Sequence, residues 1–341
     1  MASNGNVALS NEEIEKFKDD VKDFDDEFDD AVEEVGEIAD AEGNFGVSND
    51  ELAVIRGELA VDFPEDFNYL SDAYILSVAS KPYSKDPTVR RPIEYTLEKL
   101  RNVMKWRDDE QACFLGDLVD LANGSPNDPA AVEDPDAFNT ALALTKCVNN
   151  SSMYWHGFTK KGQPVLWFRV NRKPWYPDVD AEVKTLILFA DVGVQHMPKG
   201  VTDFVVISDS TSPPPPNPQF MISLLTALVK GYPDRLGGLY SAPTNSIIQW
   251  VMNLLLPLMP GRLASKVNLK TQEEVPECLS HILLNGAADI PTFFGGTAVH
   301  DTLYPEEPQL STKGEGALKF DFYGMKKRLA EGREAYERSK K

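Results

Sequence analysis

Three features of the 341-residue sequence predict an α/β protein: a mixed, mainly parallel sheet with helical walls, preceded by a small all-α N-terminal lobe. Short strand-like runs at Val165–Val170, Phe204–Ser208, Gly238–Ala242 and Lys266–Leu269 alternate with helical stretches at 180–194, 218–231 and 244–258. Repeated strand, helix, strand implies parallel pairing through right-handed crossovers. Ahead of them, residues 69–107 read as helical, with a proline-containing break at 81–92.

In chain order, the first element is an apolar seam of Ile14, Phe17, Val21, Phe24, Phe28, Ala31, Val35 and Ile38, spaced by threes and fours among Asp and Glu. This is an amphipathic helix whose seam needs a partner helix, a second copy of itself or an apolar groove on its own body. Gly36 and residues 42–49 end it, and a short helical pattern follows around Leu52, Ile55 and Leu59. The lobe continues with Tyr74, Ile75 and Val78, a proline-containing break at 81–92, and Tyr95, Leu97, Leu100, Met104 and Trp106. Residues 124–135, with three prolines, read as a loop. Asn217 and Pro218 mark a helix start as N-cap and first residue, and Thr271 with Glu274 has capping-box spacing. The expected organisation is therefore an acidic helical tail (1–48), a helical lobe (49–123), an α/β domain (136–305) and a basic C-terminal helix (306–341).

Charge is divided as sharply as structure. The net charge of −20 sits almost wholly in residues 1–70, where 22 acidic side chains face 4 basic ones, leaving −2 for the rest. Residues 313–341 lean the other way, with 9 basic and 5 acidic side chains, which suits either a solvated helix or an anionic membrane surface. An acidic tail repels phosphate backbones and disfavours nucleic acid as a partner. Cys113, Cys147 and Cys278 are isolated and odd in number, so neither a disulfide framework nor a zinc site is expected. With no signal-peptide pattern and no run of 18 apolar residues, the cytoplasm is the expected compartment.

The segment TNSIIQWVMNLLLPLMP, Thr244–Pro260, carries Ile247, Ile248, Trp250, Val251, Met252, Leu254, Leu255, Leu256, Leu258 and Met259 on nearly every side of a helix. Such a helix is either a central core helix or one that meets a second hydrophobic phase. Together with WHGFTKKGQPVLWF (155–168), VVISDS (205–210), YPDRLGGLYSAP (232–243), ASKVNL (264–269) and IPTFFGGT (290–297), it resembles the CRAL-TRIO family. That family includes retinaldehyde- and tocopherol-binding proteins and fungal phosphatidylinositol and phosphatidylcholine transfer proteins.

The resemblance implies a sheet floor and helical walls around one lipid, with no cofactor beyond that ligand and a mobile gate helix at Thr244–Leu256. Gate residues are then Ile247, Ile248, Trp250, Val251, Met252, Leu254 and Leu255. Asp234 and Lys266 fall where inositol-lipid binders hold an acid and a lysine, while Leu263 stands for their threonine and Ser77–Ser80 for an arginine pair. Trp155 and Leu166 occupy two pocket-tyrosine positions of choline-lipid binders, and Phe168 closes the same anchor. The expected function is a cytoplasmic carrier, transiently membrane-bound, of a phospholipid, isoprenoid or sterol. The alternative is a scaffold or lipid sensor that binds a protein through residues 10–40. Run 213–216, all proline, stiffens a rim loop. No nucleotide-binding, nucleophile-elbow or zinc-protease motif occurs, and His156 with Asp209 is the one acid–base pair to weigh for an enzyme, which is not the expectation.

Overall fold

The computed structural model describes residues 10–21, 46–64, 69–83, 86–124, 134–259, 261–305 and 318–340. Helix α1 (Asn11–Val21) is followed by α2 (Asn49–Asp62), whose N-cap Ser48 and Glu51 form a complete capping box, and by α3 (Asp72–Ala79). The proline-containing break at 81–92 holds a small antiparallel ribbon, β1 (Pro82–Tyr83) and β2 (Asp86–Arg90). Helices α4 (Ile93–Asp109), α5 (Leu115–Gly124) and α6 (Pro135–Asn149) complete the N-terminal half.

The main sheet runs β3 (Met153–Phe158), β4 (Pro164–Arg169), β5 (Phe204–Asp209), β6 (Leu236–Ala242) and β7 (Val267–Leu269) in simple sequential order. β3 and β4 are an antiparallel hairpin, and the other three pairings are parallel. The parallel crossovers are α7 (Val179–Gln195), α8 (Pro218–Gly231), and α9 (Ser246–Leu255) followed by α10 (Gly261–Ala264). Because strand order never reverses, right-handed crossovers stack all of these helices on one face of the sheet. The other face is covered by α11 (Val275–Ile282) and the turns around Phe294 and His300, and α12 (Phe322–Ser339) runs along the outer edge of β3, where Trp155 N donates to Met325 Sδ.

The lobe has its own core, in which Ile55 and Leu59 of α2 meet Tyr74, Ile75 and Val78 of α3 and Leu100 and Met104 of α4. Val103 and Trp106, on the other side of α4, join the main core together with α5, so the lobe is fused to the α/β body. The C-terminal helix is fused too: Phe322, Met325, Leu329 and Tyr336 are buried, and α12 packs along β3 instead of standing free in solvent. At the other end, α1 packs on α8, with Phe17 buried and Ile14 against the main core, so this part of the acidic seam uses a groove of its own chain. Seam residues Phe24, Phe28, Ala31, Val35 and Ile38 lie outside the described residues.

Local signals fare unevenly. Asn217 caps α8 by accepting from Phe220 N, with Pro218 in the first turn. At α11 only half of the expected box forms: Glu274 accepts from Thr271 N at 2.8 Å, but the helix begins at Val275 with no side-chain cap. Pro276 in its first turn moves the start one turn downstream of Thr271.

Candidate functional site

Between the sheet and the stacked crossover helices lies an apolar cavity of about 250 Å³. Period-2 alternation supplies its floor: Leu166 and Phe168 from β4, Phe204, Val206 and Ser208 from β5, Leu239 and Ser241 from β6. Walls come from α8 through Phe220, Met221, Leu224, Leu225 and Leu228, and from α9 through Ile247, Ile248, Val251, Met252 and Leu255. Pro174, Pro177 and the run 213–216 form the rim.

Of the seven gate residues read from sequence, five line the cavity, while Trp250 and Leu254 do not. Trp250 is 37% exposed on the outer side of α9, beside Ile247, which is 39% exposed and also reaches the cavity. Leu254 packs against the main core. Helix α9 thus has one face on the cavity and apolar side chains at the surface. A second exposed pair lies at the rim, where Trp175 (68%) and Tyr176 (92%) project between cavity-lining Pro174 and Pro177. Asn245 N-caps α9 and also donates to the Ser210 carbonyl, tethering its start to the end of β5.

The five expected lipid contacts divide. Leu166 and Phe168 line the cavity; Trp155, Asp234 and Lys266 do not. Trp155 stands on the cavity face opposite Leu166, but α7 covers it. Its indole Nε1 donates to the Phe189 carbonyl at 2.7 Å, and a Cβ on Gly193 would come within 2.1 Å of its ring. It seats α7 on the sheet and has no open face for a cation.

Asp234 and Lys266 instead line a small adjoining space that shares Leu228 and Leu236 with the cavity wall. Asp234, at φ +58°, pairs with Arg91 at 3.2 Å. Burial pushes its carboxyl up, but Arg91, Lys99, Lys81 and Lys266 outweigh this and hold it well below the usual carboxylate range. Lys81 is depressed by burial, against the pull of Asp234, and Lys266, Arg262 and Arg91 add repulsion. Four cations around one carboxylate, with Arg262 near Lys81, make a cation-rich pocket edge. In it, Nη1 of Arg262 is buried with no hydrogen-bond partner among the described residues. Lys81, Arg91, Lys99 and Arg262 carry no local sequence signal, being drawn from four separate segments.

His156 and Asp209 do not meet. Asp209 accepts from Arg169 Nε at 2.7 Å, and the His156 ring packs on His300 with centroids 4.3 Å apart. Burial depresses His156, and burial with His156 and Arg169 nearby pushes His300 down to about 3. Among the described residues no cluster of three or more His, Cys, Asp or Glu is placed to hold a metal, and no helix is long and apolar enough to cross a membrane.

A sheet floor, helical walls and an apolar cavity between them define a protein built to hold a hydrophobic ligand. Residues 149–296, which contain the hairpin, the crossovers and the cavity floor, match the family model of the CRAL/TRIO domain. These residues therefore form a CRAL/TRIO domain, and the whole mixed sheet lies within them. CRAL/TRIO proteins are in general lipid-binding carriers rather than enzymes. Among solved structures, the one titled "Crystal structure of Sfh5" is similar at 14% identity and a TM-score of 0.42, covering 84% of this chain and 100% of that one. No curated protein matches the chain.

Proposed function

We propose that the protein is a carrier that shelters one lipid in this cavity and exchanges it at membrane surfaces by displacement of α9. The observation that carries the reading is the two-sided character of α9, with Ile248, Val251, Met252 and Leu255 on the cavity and Ile247 and Trp250 at the surface. A sixteen-carbon chain costs about 13 kcal/mol to expose to water at ~0.8 kcal/mol per CH₂, so release has to occur against another apolar phase. A gate that moves into that phase must be apolar on both faces. Trp175 and Tyr176, at the rim beside it, are side chains suited to the headgroup zone of a bilayer. The positive edge around Asp234 and Lys266 supports a phosphate-bearing headgroup reaching out of the cavity past Leu228 and Leu236. Three cysteines without disulfides are in keeping with a cytoplasmic site of action.

The test is transfer of a fluorescent lipid between vesicles. Trp250→Asp should slow transfer at least tenfold while leaving the circular dichroism melt in place, since Trp250 is outside both the cavity and the core. Unchanged transfer by the folded variant removes the gate from the mechanism.

A further inference from the structure

The cavity has a polar end of its own, separate from the positive edge at Asp234 and Lys266. Phe168, Ser208 and Ser241 are register partners across β4, β5 and β6, at the carboxyl ends of the strands. Ser210, one step beyond, bonds to both serines, at 3.3 Å to Ser208 and 2.8 Å to Ser241. All three hydroxyls belong to cavity-lining residues that are otherwise shut off from solvent. Lys173 lines the same end: its ammonium lies 5.4 Å from the Phe168 ring centroid and 5.9 Å from that of Phe220, and it is paired with fully buried Glu182. The remaining polar lining residue, Asn217, spends its side-chain oxygen capping α8.

Counting protons shows what this end can offer. Three hydroxyls joined by two mutual bonds use two of their three protons, so one O–H is left to donate. Lys173 has three N–H donors, of which the Glu182 pair engages one among the described residues. Donors are therefore in hand, while the hydroxyl lone pairs and Glu182 Oε1, buried without a hydrogen-bond partner among the described residues, are left to receive a ligand O–H, and Glu182 already balances the lysine charge. A ligand oxygen here can accept from the spare hydroxyl and ammonium protons. If it also carried a full negative charge, the site would hold one uncompensated buried anion, at several kcal/mol.

We infer that the Lys173–Ser208–Ser210–Ser241 end of the cavity is a binding site for the uncharged oxygen of a lipid, an alcohol or carbonyl head, and selects it over a carboxylate of the same chain length. This inference rests on the carrier reading, because it names the ligand chemistry of the same cavity.

Purified full-length protein is loaded from cyclodextrin with hexadecanol, methyl palmitate, palmitate or hexadecane at pH 7.5, and relative affinities are read by native mass spectrometry and competition. Hexadecanol and methyl palmitate should bind about tenfold or more tighter than palmitate. Ser210→Ala and Ser241→Ala should each lower the affinity for hexadecanol about fivefold, the worth of one hydrogen bond, with hexadecane unmoved. Lys173→Met combined with Glu182→Gln, which leaves no lone buried charge, should lower the affinity for methyl palmitate about tenfold, again with hexadecane unmoved. Palmitate binding as tightly as hexadecanol, or variants that shift all four ligands equally, would overturn the inference while leaving the carrier standing. Binding of none of the four, hexadecane included, would take down the cavity reading and this inference with it.

Discussion

The two faces of the main sheet are built from the same strands, yet they are packed to opposite ends. On the face away from the cavity, Tyr154 stacks on Tyr304 at 4.2 Å and shares a hydrogen bond with His300 Nδ1. Trp167 there meets His300 edge-on at 4.9 Å, and its indole donates to the His156 carbonyl. On the cavity face, the strand neighbours Leu166, Phe168, Val206 and Leu239 look into open volume. Close packing elsewhere is what lets one face stay partly empty: the dense aromatic layer stabilises the sheet, and the loosely filled face is left to the ligand.

That contrast can be broken directly. Trp167→Ala should lose about 3–5 kcal/mol of unfolding free energy in denaturant titration, because the ring is buried on all sides. Leu166→Ala, its neighbour in β4, should lose about 2 kcal/mol, since part of its surface already faces a void. Equal losses would mean that the cavity face is packed as tightly as the other.

Acid sharpens the comparison next. His300 is held down to about 3, against an unfolded value near 6.5. The unfolded chain therefore binds a proton more readily, and stability contributed by the neutral ring is complete above about pH 6.5 and drains away as pH falls toward 3. His300→Gln should flatten the slope of stability against pH across that window, whereas Leu166→Ala should leave it unchanged. A slope that survives His300→Gln assigns it to other groups.

The smallest expected effect lies at the positive edge, outside both packed layers. Lys266→Ala should weaken binding of an anionic phospholipid about three- to tenfold and leave an uncharged single-chain lipid as it was, since one cation of five is removed. Equal loss for both classes makes Lys266 a structural ion-pair residue.

Much of this architecture was legible in the chain. The four strand-like runs are β4 to β7, and the doubly apolar segment supplies one wall of the cavity through α9, because period-2 and period-3.6 patterns are local and survive reading one residue at a time. β3 escaped a separate reading: its hairpin partner and α12 bury nearly every residue, so MYWHGF shows no alternation. Trp155 was legible as a cavity-face residue and illegible as the seat of α7, since only the approach of Gly193 closes it off.

By itself, then, the sequence determined the parallel strands, their crossovers, the charge of the acidic tail and the doubly apolar helix that lines the cavity, all of which follow from spacing and charge along the chain. Only the tertiary structure decided that α1 and α12 pack on the body, and that Asp234 is ringed by cations from four segments. It alone showed three serines and a paired lysine meeting at one end of the cavity. Most of those groups lie far apart in sequence, and it is sheet register and helix packing, which depend on the whole chain at once, that bring them together.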